Sequence, residues 1–247
     1  MSLANKTVMV LGGGGLLGSE IVRACVSEGA RVVAADIAEP RVLPEGAVFF
    51  ACDATKEDEV NTLAEKMRRD FGRVDAVINA TYPKTKNYGK KFEDADIDEM
   101  LENATLHMKT CMTVVRGFLP LFKEQKSGSV IFFGSIYGVA APRFEIYEGT
   151  NMTVPAEYAA AKGGTLSLMR YFAALLGSCN VRVNAISPGG IADNQSQSFI
   201  DAYSKHLLVG EGLLRPEDVS GAAVFLASDA SKMMTGQNLI IDGGWTL

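Results

Sequence analysis

Short, almost continuously apolar runs alternate with amphipathic stretches along the chain. TVMVL (7–11), RVVAA (31–35), AVFFA (47–51), DAVIN (75–79), SVIFFG (129–134), VRVNAI (181–186) and NLIID (238–242) show little polar alternation. That is the pattern of strands covered on both faces of a parallel sheet. Between them, residues 17–29, 56–71, about 95–124, 156–177 and 216–228 follow helical periodicity. Strand alternating with helix predicts βαβ units and an α/β, doubly wound parallel sheet of about seven strands. Strands recur almost to the last residue with no linker or internal repeat, so residues 1–247 are expected to form a single domain.

Two segments depart from this rhythm. ATYPKTKNYGKKFED (80–94) is polar and basic, and GVAAPRFEIYEGTNMTVPA (138–156) is a long excursion before a predicted helix. Long loops inside compact domains often carry function.

Glycines gather between the first strand and the first helix, in VMVLGGGGLLGSEIV. Gly13, Gly15 and Gly18 satisfy GxGxxG, with the strand before and the helix after that the motif requires. Glycine there permits a tight turn and lets a pyrophosphate reach backbone N–H groups at the positive helix end. With Gly12, Leu16 and Leu17 these residues form the expected dinucleotide turn of a Rossmann-type domain. Asp36 closes the second strand, where a carboxylate accepts hydrogen bonds from adenosine ribose hydroxyls. Its charge repels a 2′-phosphate and no arginine directly adjoins it, so NAD is expected over NADP. Asp53, with Ala54, follows the third strand. It either accepts from an adenine amino group or belongs to a helix start in which Thr55 and Asp58 form a capping box; the sequence leaves both open.

Composition narrows the class. A hydrophobic share of 47% is enough for the core of one large domain. The net charge of −5, from 24 basic and 29 acidic residues, comes with no basic stripe and argues against nucleic-acid and anionic-membrane partners. Cys25, Cys52, Cys111 and Cys179 form no CxxC, and His107 and His206 are far apart, so no metal site is expected. Free core thiols suit a reducing cytoplasm. No apolar run approaches the ~18 residues of a membrane span, and the first residues lack the cationic start of a signal peptide; a cytoplasmic location is expected.

In PAEYAAAKGG (155–164), Tyr158 precedes Lys162 by one helical turn, so the two share a face. Together with LGGGGLLG (11–18), CDAT (52–55), INAT (78–81), FFGS (132–135), RVNAISPGG (182–190), RPEDVSGAAVFLAS (215–228) and TGQNLIIDGG (235–244), this makes the chain resemble the short-chain dehydrogenase/reductase family over essentially its whole length. The resemblance implies Ser135, Tyr158 and Lys162 as the catalytic set. It implies Asn79, with Ala80 and Thr81, as a cofactor wall, and Pro188, Gly189 and Ile191 beside the nicotinamide. It also implies a homotetramer or homodimer. The chemistry is consistent: free tyrosine titrates near 10, too high for a good base, and a neighbouring lysine cation lowers it.

Several positions depart from the family pattern. Leu11 stands where a threonine is usual, Tyr82 follows Asn79-Ala80-Thr81, and Asp193 replaces a threonine. His107 occupies the place of the asparagine that organises a proton-relay water. It either takes that role or is a packed helix histidine, with Asn103 as the other relay candidate. Ser135 and Tyr158 are 23 positions apart, about twice the family habit. Tyr147 lies at the shorter spacing, but Asn151 stands where its lysine would have to be. The insertion near 138–156 is expected at the substrate mouth, with Arg143 and Tyr147 as substrate contacts and Arg143 as a carboxylate or phosphate ligand; the alternative is an oligomer-contact loop. Residues 192–213 are expected to form a lid. The insertion and loops further resemble a subgroup associated with flagellin-glycan and acidic-sugar pathways. The expected activity is hydride transfer between NAD and a secondary alcohol or ketone of a small, sugar-like metabolite. A 3-oxoacyl thioester reductase and a non-catalytic dinucleotide-binding sensor are the alternatives.

Overall fold

The computed structural model describes residues 2–247. Its sheet is wholly parallel and comprises β1 (Thr7–Leu11), β2 (Arg31–Asp36), β3 (Ala47–Ala51), β4 (Ala76–Asn79), β5 (Gly128–Phe133), β6 (Val181–Pro188) and β7 (Asn238–Ile241). The spatial order is β3-β2-β1-β4-β5-β6-β7. Six helices accompany it among the described residues: α1 (Leu16–Ser27), α2 (Glu57–Phe71), α3 (Ile97–Gln125), α4 (Ala156–Leu176), α5 (Gln197–Ser204) and α6 (Pro216–Ala227).

The apolar runs have a direct cause. Val8 and Val10 point into the core layer built with Ile21, Val219 and Val224 of α1 and α6. Met9 and Leu11, between and after them, point into the opposite layer with Leu63, Phe118 and Leu166 of α2, α3 and α4. Period-two alternation is therefore hidden, because both faces are buried. Each fully buried side chain of this size contributes about 1.5–3 kcal/mol, and the Rossmann-type sandwich rests on these two layers. A smaller cluster, Ile136, Ile146, Phe199, Tyr203 and Trp245, joins the insertion, α5 and the C-terminal residues.

The predicted elements lie within two residues of their observed ends. The helix-start alternative for Asp53 is corrected in part. α2 begins at Glu57 with Lys56 as its N-cap and has no side-chain cap bond. The Thr55–Asp58 capping box does not form, because Thr55 turns back to Asp53: its N–H and hydroxyl donate to Asp53 Oδ1 at 2.9 and 2.7 Å.

The strand order reverses beside β1: the chain moves to β2 and β3 on one side, then to β4 on the other. In doubly wound sheets that reversal opens a crevice at the carboxyl ends of the strands.

Candidate active site

A cleft of about 1070 Å³ opens at that reversal. Its floor begins with the glycine turn. Gly12 adopts φ +76°, and a Cβ there would lie 2.7 Å from the Ala80 carbonyl carbon. A Cβ on Gly18 would lie 1.9 Å from the Gly12 oxygen. Only glycine lets α1 start this close to the turn. α1 has neither a side-chain cap nor an acidic residue in its first turn, so its N–H groups and positive dipole end are left for an anion. Gly13 packs on Ala34 of β2. Gly15, Leu16 and Leu17 line the cleft with Gly12 and Gly18.

Asp36 marks one end of the cleft. Its carboxylate accepts from the N–H of Gly14 at 3.0 Å and of Ile37 at 2.7 Å. Asp53 and Ala54 line the same end. Burial raises the Asp53 carboxyl, but the Thr55 bonds and Lys56 outweigh it and hold the group below the usual carboxylate range. Ala80 and Thr81 form the opposing wall, held by Asn79: its Oδ1 accepts from Thr81 Oγ1 at 2.7 Å and its Nδ2 donates to Thr110 at 3.2 Å. Pro188, Gly189 and Ile191 line the far end. The Ile191 carbonyl accepts from Gln195 Nε2 at 2.9 Å. A dinucleotide fits this run of residues: an uncapped glycine-opened helix for its phosphates, a carboxylate at one end and a backbone turn at the other.

Ser135, Tyr158 and Lys162 converge despite the long spacing, because β5 ends at Phe133 and α4 returns along it. All three line the cleft. Lys162 Nζ donates to the Phe133 carbonyl at 2.9 Å and lies 5.6 Å from the Tyr158 ring centre. Burial pulls the ammonium down to about 8. Burial also raises the Tyr158 phenol, and a hydrogen bond with Ser135 opposes this.

His107 is not among the residues lining the main cleft. It borders a separate cavity of about 10 Å³ with Asn79, Thr81, Thr110, Lys162 and Thr165, about the room one water needs. Its Nε2 has no hydrogen-bond partner among the described residues. Burial, then the Lys162 charge, lowers the imidazole to about 3, against a backbone hydrogen bond at Pro83, so it is neutral at ordinary pH. Asn103, one turn earlier on α3, is fully buried and lines neither cavity.

The substrate side differs from the expected one. Tyr147 lines the cleft and its hydroxyl lies 2.8 Å from that of Tyr137. Arg143 does not line the cleft; its guanidinium sits 5.1 Å over the Trp245 ring, which corrects its expected place at the substrate. Phe199 and Tyr203, from the expected lid, line the cleft, and the Gly190 N–H donates to the Tyr203 hydroxyl at 2.7 Å. Three lining residues carried no functional reading in the sequence. Tyr82 stands edge-on to both His107 (5.1 Å) and Tyr158 (5.8 Å), Tyr88 bonds the Tyr82 hydroxyl, and Lys84 lies over both rings. Their signal was the place of Tyr82, directly after the cofactor wall.

Among the described residues, no group of three or more histidine, cysteine, aspartate or glutamate side chains is placed to hold a metal ion, and no helix is long and apolar enough to cross a membrane.

Comparison with known proteins gives this geometry a family. A family model described as enoyl-(acyl carrier protein) reductase matches residues 15–246. The post-translational flagellin modification protein A of Campylobacter coli is 32% identical, over 99% of this chain and 100% of its own. L-fucose dehydrogenase of Bos taurus is 34% identical, over 98% of this chain and 89% of its own. Among solved structures, a short-chain dehydrogenase of Leptospira borgpetersenii with bound NAD+ superposes with a TM-score of 0.89 at 32% identity, covering 99% of this chain and 94% of that one.

Proposed function

Because the chain belongs to the short-chain dehydrogenase/reductase family and is an oxidoreductase, we propose that it uses NAD in preference to NADP to interconvert a secondary alcohol and a ketone on a polar, sugar-like metabolite. The observation that carries the reading is the convergence of Ser135, Tyr158 and Lys162 on a cleft that begins at an uncapped glycine turn. Nicotinamide, when bound, supplies the hydride acceptor or donor.

The chain's own residues handle the proton and the orientation. Ser135 holds the substrate oxygen against Tyr158. Tyr158 takes the hydroxyl proton in oxidation and returns it in reduction. The Lys162 charge stabilises the phenolate. The neutral His107 presents its free Nε2 to the small cavity beside Lys162, where it is placed to accept a hydrogen bond from a water and to orient it near the lysine. Asp36 disfavours a 2′-phosphate: two unit charges at 4 Å repel by about 4 kcal/mol at an effective dielectric of 20, less where solvent screens them.

Phenol groups of Tyr137 and Tyr147 in the cleft wall suit hydroxyl-rich substrates better than a long acyl chain. The similarity to L-fucose dehydrogenase supports the same class. Assembly as a homodimer or homotetramer through α3 and α4 belongs to this reading, since Leu101, Met112, Tyr171 and Leu175 are exposed there. The buried free thiols accord with a cytoplasmic setting.

The test is NADH formation across a panel of hexoses, deoxyhexoses and polyols. Tyr158→Phe should lower kcat by about 10²–10⁴-fold while NAD still binds. Unchanged turnover in that variant removes the proposal.

A further inference from the structure

We propose that Lys84 is the ligand for an anionic group, a carboxylate or a phosphate, carried by the substrate. The inference rests on the oxidoreductase reading only for where the reacting carbon lies; the anion site itself stands on the geometry of the rim.

Lys84 lines the cleft, on the same side as Tyr82 and Tyr88. Its ammonium sits 4.7 Å from the Tyr82 ring centre and 5.7 Å from that of Tyr88. Two ring faces fix the position of a side chain that would otherwise sweep through solvent, and cation–π contacts of this kind leave the ammonium N–H groups free to donate. The neighbouring Lys90 pairs with Glu99 at 3.9 Å, whereas Lys84 pairs with no carboxylate among the described residues. Lys84 is exposed to solvent at the rim of the cleft, where an incoming ligand can reach it.

Charge along the cleft makes the position specific. Lys84 and Lys162 are the cationic side chains of the lining, and Lys162 is committed to the Phe133 carbonyl. The lining carboxylates, Asp36, Asp53 and Asp193, lie along the expected dinucleotide path. Tyr137 and the lining residues of the insertion and α5 are uncharged, among them Tyr147, Met152, Phe199 and Tyr203. A protein of net charge −5 therefore places one unpaired cation at the mouth of this cleft, on a loop that also carries Lys86 and Lys91. That arrangement favours entry of an anion and fixes its charged end. The Tyr82 ring contacts both ends of this span, 4.7 Å from the Lys84 ammonium and 5.8 Å from the Tyr158 ring centre. The anion and the reacting carbon thus belong to one small molecule, such as a sugar acid or a sugar phosphate. Arg143, the cation of the insertion, is held over Trp245 and is not required for this role.

The test compares glucose, glucuronate and glucose 6-phosphate for binding to the full chain by calorimetry at low salt, with and without saturating NAD. A parallel assay follows nicotinamide reduction. Wild type should bind at least one of the two anions tenfold or more tightly than glucose, and which one identifies carboxylate or phosphate. Lys84→Met should erase that preference while changing glucose binding by less than twofold, and Lys84→Arg should restore most of it. Equal binding of all three sugars by wild type, or an anion preference untouched in Lys84→Met, overturns the proposal. If the preference depends on Lys84 but no sugar reduces NAD, the anion site stands and the hydride-transfer reading fails.

Discussion

Packed against the rings of Tyr82 and Tyr158, the Lys162 ammonium is drawn by burial down to about 8. Its charge, which the phenol needs, is therefore held with little margin above neutral pH. His107 carries the complementary cost. It is neutral when folded and titrates near 3, whereas a free histidine titrates near 6.5. The unfolded chain takes up this proton as pH falls below 6.5 and the folded chain does not, so stability from this group is full above 6.5 and is lost progressively down to about 3. His107→Asn should make the fall in Tm between pH 6.5 and 4 shallower than in wild type, as measured by thermal melts across that range. An equally steep fall would show that His107 is not the buried neutral group described. At this scale Tyr158 and Lys162 were legible because one helical turn aligns them and the motifs around them, taken in order, resemble those of a known family. The partners of Tyr82 were not, since its contacts come from α3, α4 and the 84–88 loop, which no local pattern relates.

The elements show a different division. Helix and strand ends were legible to within two residues because each run is punctuated by glycine, proline or a charge cluster. At the start of α2 the capping-box alternative fails, because an Asx-type turn at Asp53 takes the Thr55 hydroxyl that the box would need. Arg143 was misplaced for a similar reason: its aromatic partner lies 102 positions away in sequence. In the proposed reading, cofactor binding depends on the glycine turn and α1. Gly18→Ala forces a methyl into the Gly12 carbonyl, at 1.9 Å before relaxation. Overpacking of this kind costs about 1–3 kcal/mol. The variant should melt several degrees lower and bind NAD about tenfold more weakly, by calorimetry, with Tyr158 untouched.

For the whole molecule, the parallel sheet supplies the rigid frame and the cleft runs across its switch point, from Asp36 to Ile191. A ligand that spans both halves stabilises the fold by mass action, by about 2.7 kcal/mol at one hundred times its Kd. At this chain length that corresponds to a rise in Tm of several degrees. NAD should produce this shift and NADP at the same concentration a much smaller one, with Asp36→Ala narrowing the gap. Equal shifts with both dinucleotides in wild type would remove the assigned preference. The fold class was legible from the strand–helix rhythm alone, whereas the aromatic substrate wall was not, because three separate chain segments assemble it.

The chain holds a single tryptophan, and the fold stations it in the cluster that unites the insertion, α5 and the C-terminal residues: stacked on Tyr203, edge-on to Tyr137 and beneath Arg143. Tryptophan emission, excited at the red edge where the seven tyrosines absorb little, is consequently a label-free report on how that cluster is packed. Replacing Trp245 deletes both the reporter and the ring on which Tyr203 and Arg143 pack.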